Sequence, residues 1–330
     1  NLRAAGLRVT VFDQVQAAPP EAVILQAADM ARIVSGVVGF GGGSSLDVAK
    51  LAALLAASGQ PMAEVFGIGN AEGPRLPLVL VPTTAGTGSE VTPISIVTTG
   101  VSEKMGVVSP MILPDVAVLD PELTLGLPAH VTAASGIDAM VHAIEAYAST
   151  NPNNNPVSRA LAVEALRLMG RVLQRAVDTP GDIEARSDML LGSMLAGQAF
   201  ANSPVAAVHA LAYPIGGHYK VPHGLSNALV LPHVLRFNAE VVPQAYADLL
   251  PHVFPEASAK GVDDAAMKFI EGMAALSRTC GLQQNLRDMG VKKEALPMLA
   301  SDAMNQTRLL VNNPRPVDEA AALKIYEAAW

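Results

Sequence analysis

GFGGGSSLDVAK, residues 39–50, puts four glycines into five positions, then two serines, an aspartate and a helical-looking run. Glycine costs about 0.5–1 kcal/mol relative to alanine inside regular structure, so bare backbone here answers a need. Upstream, GVVGF (36–40) reads as a buried strand, and SLDVAKLAALLAA (45–57) downstream reads as a helix. Glycines between a strand and a helix let an anion approach the free N–H groups at the positive end of the helix dipole, which suits a pyrophosphate. A tight structural turn is the other reading. The spacing is not G-x-G-x-x-G, although Gly39-Phe40-Gly41 begins like it.

Outward from this corner the first 125 residues or so alternate short apolar runs with helical ones. LRVTVFD (7–13), LPLVLVP (76–82) and DVAVLD (115–120) read as strands, and EAVILQAADMARIV (21–34) as a helix. Such alternation predicts a mostly parallel sheet covered by helices. A second corner follows a strand in LVLVPTTAGTGSEVT (78–92), where Thr83, Thr84 and Thr87 sit among glycines. Threonine hydroxyls and glycine backbone suit phosphate and ribose oxygens beyond the carboxyl ends of strands; a turn-rich connector is the alternative. The chain opens in NLRAAGLRVTVFDQV, the end of a helix followed by a strand, so further residues are expected upstream of Asn1.

The 330 residues are half hydrophobic, carry 16% charged side chains and have a net charge of −8. That composition places the chain among globular proteins and away from disordered ones. No Lys/Arg cluster stands out, which argues against a nucleic-acid partner. No apolar run reaches the roughly 18 residues a membrane helix needs, and no signal peptide is evident. Cys280 is the single cysteine, which fits a reducing, cytoplasmic setting. A homodimer is the expected assembly.

Past Pro128 strand signals fade and Ala/Leu/Met-rich helical segments take over: 130–149, 155–177 and 184–201, the first two separated by the loop 150–156. Two domains are expected, an α/β domain over 1–127 and an all-helical domain over 128–330. Asp138 and His142 lie four apart, so a helix turns both to one side. Their neighbours Ile137, Met140, Val141 and Ile144 are apolar. A buried carboxylate beside a buried imidazole is costly unless paired or metallated. His209 sits in another apolar run and His223 follows Pro222 at the start of the next helix. Asp138, His142, His209 and His223 would supply one oxygen and three nitrogens, although each residue alone is also at home in a core. His130, His233 and His252 read as structural.

Four stretches together carry a resemblance: GGGSSLDVAK (41–50), PTTAGTGSEVT (82–92), ASGIDAMVHAIEAY (134–147) and HALAYPIGGHYKVPHG (209–224). In this order they resemble the iron-containing (group III) alcohol dehydrogenases, along the chain to its final YEAAW. The resemblance implies a dehydroquinate synthase-like architecture: a Rossmann-like nucleotide domain, then a helical metal domain, with the active site between them. It implies Fe(II), or Zn(II), on Asp138, His142, His209 and His223. It implies NAD or NADP against Gly42, Gly43, Ser44, Asp47, Thr83, Thr84 and Thr87. Lys104 matches a family lysine near the cofactor, and an ordinary surface lysine is its other reading.

The implied reaction is hydride transfer between a small alcohol or aldehyde and the nicotinamide, the metal acting as Lewis acid. Many members read H-x-x-x-H-P after the third ligand, whereas this chain has Tyr213 in place of the second histidine. Tyr213 or His218 is therefore the candidate for proton transfer. Asp47 favours alcohol dehydrogenases over maleylacetate reductases, some of which carry a small residue there. A hydroxyacid–oxoacid transhydrogenase, a dehydroquinate synthase-type lyase and a non-catalytic binding relative are the alternatives. The lyase would want several cations near its ligand segments, where only Lys220 stands, and the binding relative would have lost a ligand.

Overall fold

The computed structural model describes residues 2–100 and 103–330. By internal packing the chain divides into two units, one of residues 1–81 and 93–118 and one of residues 82–92 and 119–330. The expected break at 127/128 lies inside the second unit.

The first unit begins with helix α1 (Glu21–Ala31), whose Ile24, Ala27, Ala28 and Ala31 are buried at i, i+3, i+4 and i+7, the stripe of a helix packed on one side. Strand β1 (Val37–Gly41) runs into α2 (Gly43–Ser58) through the glycine corner. Every residue of α2 from Val48 to Leu55 is buried. Then come α3 (Met62–Val65), β2 (Gly67–Ile68), β3 (Leu78–Pro82), β4 (Ile94–Thr99), β5 (Glu103–Val108) and β6 (Val116–Ala117).

Two three-stranded sheets form, ordered β1-β3-β6 and β2-β5-β4. β3 runs parallel to β6, with Val79 opposite Val116. β2 runs parallel to β5, while β4 pairs with β5 antiparallel, with Thr98 opposite Lys104. Burial alternates along β3, with Leu78 and Leu80 fully buried beside Leu46 and Ala49 of α2. Gly39 explains part of the glycine richness: a Cβ there would lie 2.6 Å from Leu80 Cδ2 and 2.8 Å from Ala49 Cβ, so helix and strand could not pack this closely.

Two strand expectations change. Residues 7–13 form no strand: Leu7 and Val11 are exposed, and no strand among the described residues hydrogen-bonds to the segment. An extended segment without a hydrogen-bonded neighbour is not a strand, whatever its β-branched content. The run 115–120 shortens to the two residues of β6. The β4–β5 hairpin was not anticipated.

The second unit is helical: α4 (Ala129–Ala148), α5 (Pro156–Asp178), α6 (Ile183–Asn202), α7 (Ala207–Tyr219), α8 (His223–Ala239), α9 (Pro243–Val253), α10 (Val262–Thr279), α11 (Leu296–Ala303), α12 (Thr307–Leu310) and α13 (Glu319–Ala329). The loop 150–156 ends in a capping box: Asn155 accepts from the Val157 and Ser158 N–H groups, Ser158 answers, and Pro156 starts α5. Helix α4 packs against α5, α6 and α8. The loop 82–92 belongs to this unit. Its Gly88 has φ +58°, and a Cβ there would stand 2.5 Å from Gly197 Cα on α6. A left-handed residue in backbone contact with a helix accepts only glycine. No helix among the described residues is long and apolar enough to cross a membrane.

Candidate active site

In the second unit, α4 carries Asp138, His142 and Glu145 at i, i+4 and i+7, all buried, on the side facing α7 and α8. Helix α8 comes this close to α4 because its second residue is glycine: a Cβ on Gly224 would overlap the Ala134 carbonyl of α4 and lie 3.3 Å from Asp138 Cβ. That approach puts His223 Nε2 3.7 Å from Asp138 Oδ1. His209, the third residue of α7, brings its Nε2 to the same 3.7 Å from Asp138 Oδ1.

Hydrogen bonds set the imidazole tautomers. His142 Nδ1 lies 3.1 Å from the Gly86 carbonyl, which can only accept, so Nδ1 carries the proton and Nε2 keeps its lone pair. His209 Nδ1 lies 2.6 Å from Glu145 Oε2, with the same consequence. His209 Nε2 is buried without a hydrogen-bond partner among the described residues. One ligand atom each from Asp138, His142 and His209 lies within 4.8 Å of the others. Two donors about 2.1 Å from a tetrahedral cation stand roughly 3.4 Å apart, so these separations suit a shared divalent ion. The neutral-imidazole and carboxylate donor set suits first-row ions.

The His142 and His209 rings stack at 4.7 Å, and Phe200 of α6 stacks on His142 at 4.5 Å, closing one side with an apolar wall. The Asn227 amide of α8 donates to Asp138 Oδ1 at 2.5 Å. Burial would raise the Asp138 carboxyl, but the charges of His223, His142 and His209 and the Asn227 bond outweigh it and hold it below its ordinary value. Burial pushes His142 down to about 3 against the pull of Asp138, which keeps it in the neutral form a cation needs. Burial acts the same way on His209, but the hydrogen bond and charge of Glu145, with Asp138, carry it above its ordinary value. A proton and a cation therefore compete for His209 Nε2.

The remaining expected residues separate. His223 reaches Asp138, yet its side chain is 46% exposed and it stands outside the compact trio. Tyr213 presents its ring 5.8 Å from that of His223. His218 is a correction: nine residues from His209 it lies half a turn round α7, and its Nε2 donates to Asp302 Oδ2 at 2.5 Å. The structure does not bring it to the cluster. Glu145, Asn227 and Phe200 were missed. Glu145 was legible as the third ionisable residue on one face of an apolar helix, whereas nothing local marked Asn227 or Phe200.

In the first unit, Gly42, just before α2, is the helix's N-cap in extended conformation, and no side chain caps the helix. Gly43 and Ser44 form its first turn, where N–H groups lack helical partners. Ser44 Oγ accepts from the Ala18 N–H at 3.3 Å. Asp47 turns to β4: its Oδ2 accepts from the Ile96 N–H at 3.0 Å, and its Oδ1 stands 3.8 Å from the fully buried Lys50 Nζ. Lys104 Nζ, on β5, donates to Thr98 Oγ1 at 2.6 Å. Thr83, Thr84 and Thr87, in the second unit's loop, are half-buried, and Thr87 Oγ1 accepts from the Ser89 N–H.

Comparison with known proteins agrees along the whole chain. Residues 1–121 match the family model described as iron-containing alcohol dehydrogenase, and residues 132–330 match the C-terminal model of the same family. The chain is 42% identical to long-chain-alcohol dehydrogenase 1 of Geobacillus thermodenitrificans, over 100% of this chain and 84% of that one. It is 38% identical to 1,3-propanediol dehydrogenase of Citrobacter freundii, over 100% and 85%. The crystal structure of a 1,3-propanediol oxidoreductase superposes with a TM-score of 0.95 at 38% identity, covering 100% of this chain and 86% of that one. Sulfoacetaldehyde reductase from Bifidobacterium kashiwanohense in complex with NAD+ superposes with a TM-score of 0.87 at 30% identity, over 97% and 83%. With both its α/β and its helical part matched, the chain belongs to the iron-containing alcohol dehydrogenase family, as an oxidoreductase acting on alcohols.

Proposed function

We propose that this chain interconverts a small alcohol and its aldehyde with NAD(H), using a divalent cation held by Asp138, His142 and His209 with His223 as fourth ligand. The observation that carries the proposal is His209 Nε2, buried without a hydrogen-bond partner beside Asp138 and His142. An orphaned buried acceptor costs about 1–3 kcal/mol, which a bound ion offsets. When bound, the ion supplies Lewis acidity to a substrate carbonyl or hydroxyl group. Iron is the ion the family name supports, and the NAD+ held by a structural relative supports NAD over NADP.

The chain's residues divide the remaining work. Gly86 holds the proton at His142 Nδ1, and Phe200 keeps water from one face of that ring. Tyr213, whose ring lies 5.8 Å from that of His223, is proposed as the group that moves a proton at its phenol oxygen. In the first unit, the uncapped start of α2 at residues 42–44 offers N–H groups to a pyrophosphate. Thr83, Thr84, Thr87 and Lys104 are proposed as further cofactor contacts. Asp47 serves the cofactor indirectly, by tying α2 to β4.

Metal analysis of the anaerobically purified protein, with an assay of ethanol, 1-butanol and 1,3-propanediol against NAD and NADP, tests the reading. It expects about one iron or zinc per chain and faster NAD than NADP reduction, both lost in Asp138→Ala. A wild type that takes up neither Fe(II) nor Zn(II) would overturn it.

A further inference from the structure

Glu145 stands out among the buried ionisable groups, because both of its carboxylate oxygens are spent on the first turn of α7. Oε1 accepts the Val208 N–H at 2.6 Å, and Oε2 accepts His209 Nδ1–H at 2.6 Å. The residue is 5% exposed. No side chain of α7's own N-cap, Ala206, can satisfy these first-turn donors. A carboxylate from α4 therefore acts as a remote cap, where negative charge meets the positive end of the helix dipole.

Its position has a second consequence. Asp138, His142 and Glu145 share one rigid helix, so the carboxylate that docks α7 is in fixed register with the other candidate ligands. A carboxylate can only accept, so it commits His209 to the Nδ1–H tautomer and leaves the lone pair on Nε2, the atom nearest Asp138. We infer that Glu145 is a positioning residue for the cation site: it selects the ligating tautomer of His209 and holds α7 at ligand distance from α4. This inference rests on the metal reading above and deepens it. Carboxylates behind ligating histidines are worth on the order of ten- to a hundredfold in metal affinity.

Glu145→Gln separates positioning from mere filling of space. A carboxamide has one accepting oxygen and one donating nitrogen. If its oxygen keeps the Val208 N–H, its NH2 faces His209 Nδ1 and drives the proton to Nε2. The variant therefore keeps shape and the helix cap yet presents the wrong imidazole edge.

The experiment titrates Zn(II) into chelator-stripped wild type, Glu145→Gln, Glu145→Ala and His209→Ala, and reads the His209 tautomer of the metal-free proteins by 15N imidazole NMR at a pH above the ring's titration, where the imidazole is neutral. The expected result is Nδ1–H in the wild type, Nε2–H in Glu145→Gln, and ten- to a hundredfold weaker Zn(II) binding in Glu145→Gln. Wild-type affinity and tautomer in Glu145→Gln would overturn the assignment while leaving the metal reading intact. Absence of Zn(II) binding in the wild type would sink both. If Glu145→Gln fails to fold, the wild-type spectrum decides: Nδ1–H supports the role, and Nε2–H refutes it.

Discussion

On the proposed function, the glycine corner on α2 and the imidazole cluster on α4, α7 and α8 would take their ligands by opposite routes. The corner offers backbone: it leaves the start of a helix uncapped, and the side chains nearby are occupied elsewhere, Ser44 with Ala18 and Asp47 with β4. The cluster offers side chains: Asp138, His142, His209, Glu145 and Asn227 sit buried among apolar helices, with tautomers already chosen. A pyrophosphate brings its own charge to neutral N–H groups, which cost little to leave facing water. A cation needs deprotonated ligands in a dry place, and those are expensive to bury without it. The corner is therefore assembled by local turn chemistry and the cluster by long-range packing.

The largest effect should come from breaking the cluster. His209→Ala removes a ligand and leaves the buried Glu145 carboxylate without its imidazole. Bound metal should be lost and kcat/KM should fall by at least about 10³-fold, a loss of several kcal/mol of transition-state stabilisation. Elemental analysis and an alcohol assay check both. A variant that keeps metal and rate would mean the cluster is only a polar core.

Asp47→Ala probes the corner. If Asp47 is a tie rather than a direct cofactor contact, its loss orphans the Ile96 N–H and weakens the setting of the buried Lys50. The expected cost is about 1–3 kcal/mol of stability, read by denaturant titration without cofactor. Unchanged stability with weakened NAD binding would return Asp47 to the cofactor and narrow the contrast between the two regions.

His233 separates burial from ligation. It lies on α8, away from the expected ligands, and burial, helped by the Arg236 charge, lowers it to about 4. The unfolded chain takes up a proton near pH 6.5 that the folded chain refuses. Its contribution to stability is therefore complete above about 6.5 and declines as pH falls towards 4, by at most about tenfold in the unfolding equilibrium per pH unit. His233→Gln should flatten that slope in metal-free denaturant titrations between pH 7 and 4, and should leave Zn(II) affinity at neutral pH unchanged. Weakened Zn(II) binding in His233→Gln would show that His233 is not an imidazole buried for packing alone.

The smallest effect belongs to Arg75 and Asp115 of the first unit. Arg75 meets Asp115 through two bonds of 2.7 and 2.9 Å, and with the Leu78 N–H it lowers the carboxyl to about 2. The pair's stabilisation is present above the unfolded value near 3.9 and lost as pH falls through about 2. Because Asp115 is half exposed, Arg75→Ala should cost no more than about 1 kcal/mol. A larger loss would mean that the first unit also depends on long-range charge pairing.

Periodicity alone was enough for α1, α2, α4, α5 and α6, because apolar spacing at 3.6 residues is written into contiguous residues. The pairing of Asp138 with His142 followed from the same spacing. Residues 7–13 misled because β propensity describes a residue's fit to a pleated surface, not whether a neighbouring strand is present. The spacing of nine residues already puts His218 half a turn from His209 on a helix; what nothing local marked is its partner, Asp302, 84 residues away. Lys50 and Asp47 gave no sign that they would serve β4.

By itself, then, the sequence determined the α/β-then-helical order, the glycine corner and the side chains available for a cation. Only the tertiary structure decided that Glu145 caps α7, that His209 carries its proton on Nδ1, and that His218 goes to Asp302. The reason is range: helix periodicity acts over a few residues, whereas tautomer and pairing depend on groups 64 and 84 residues away.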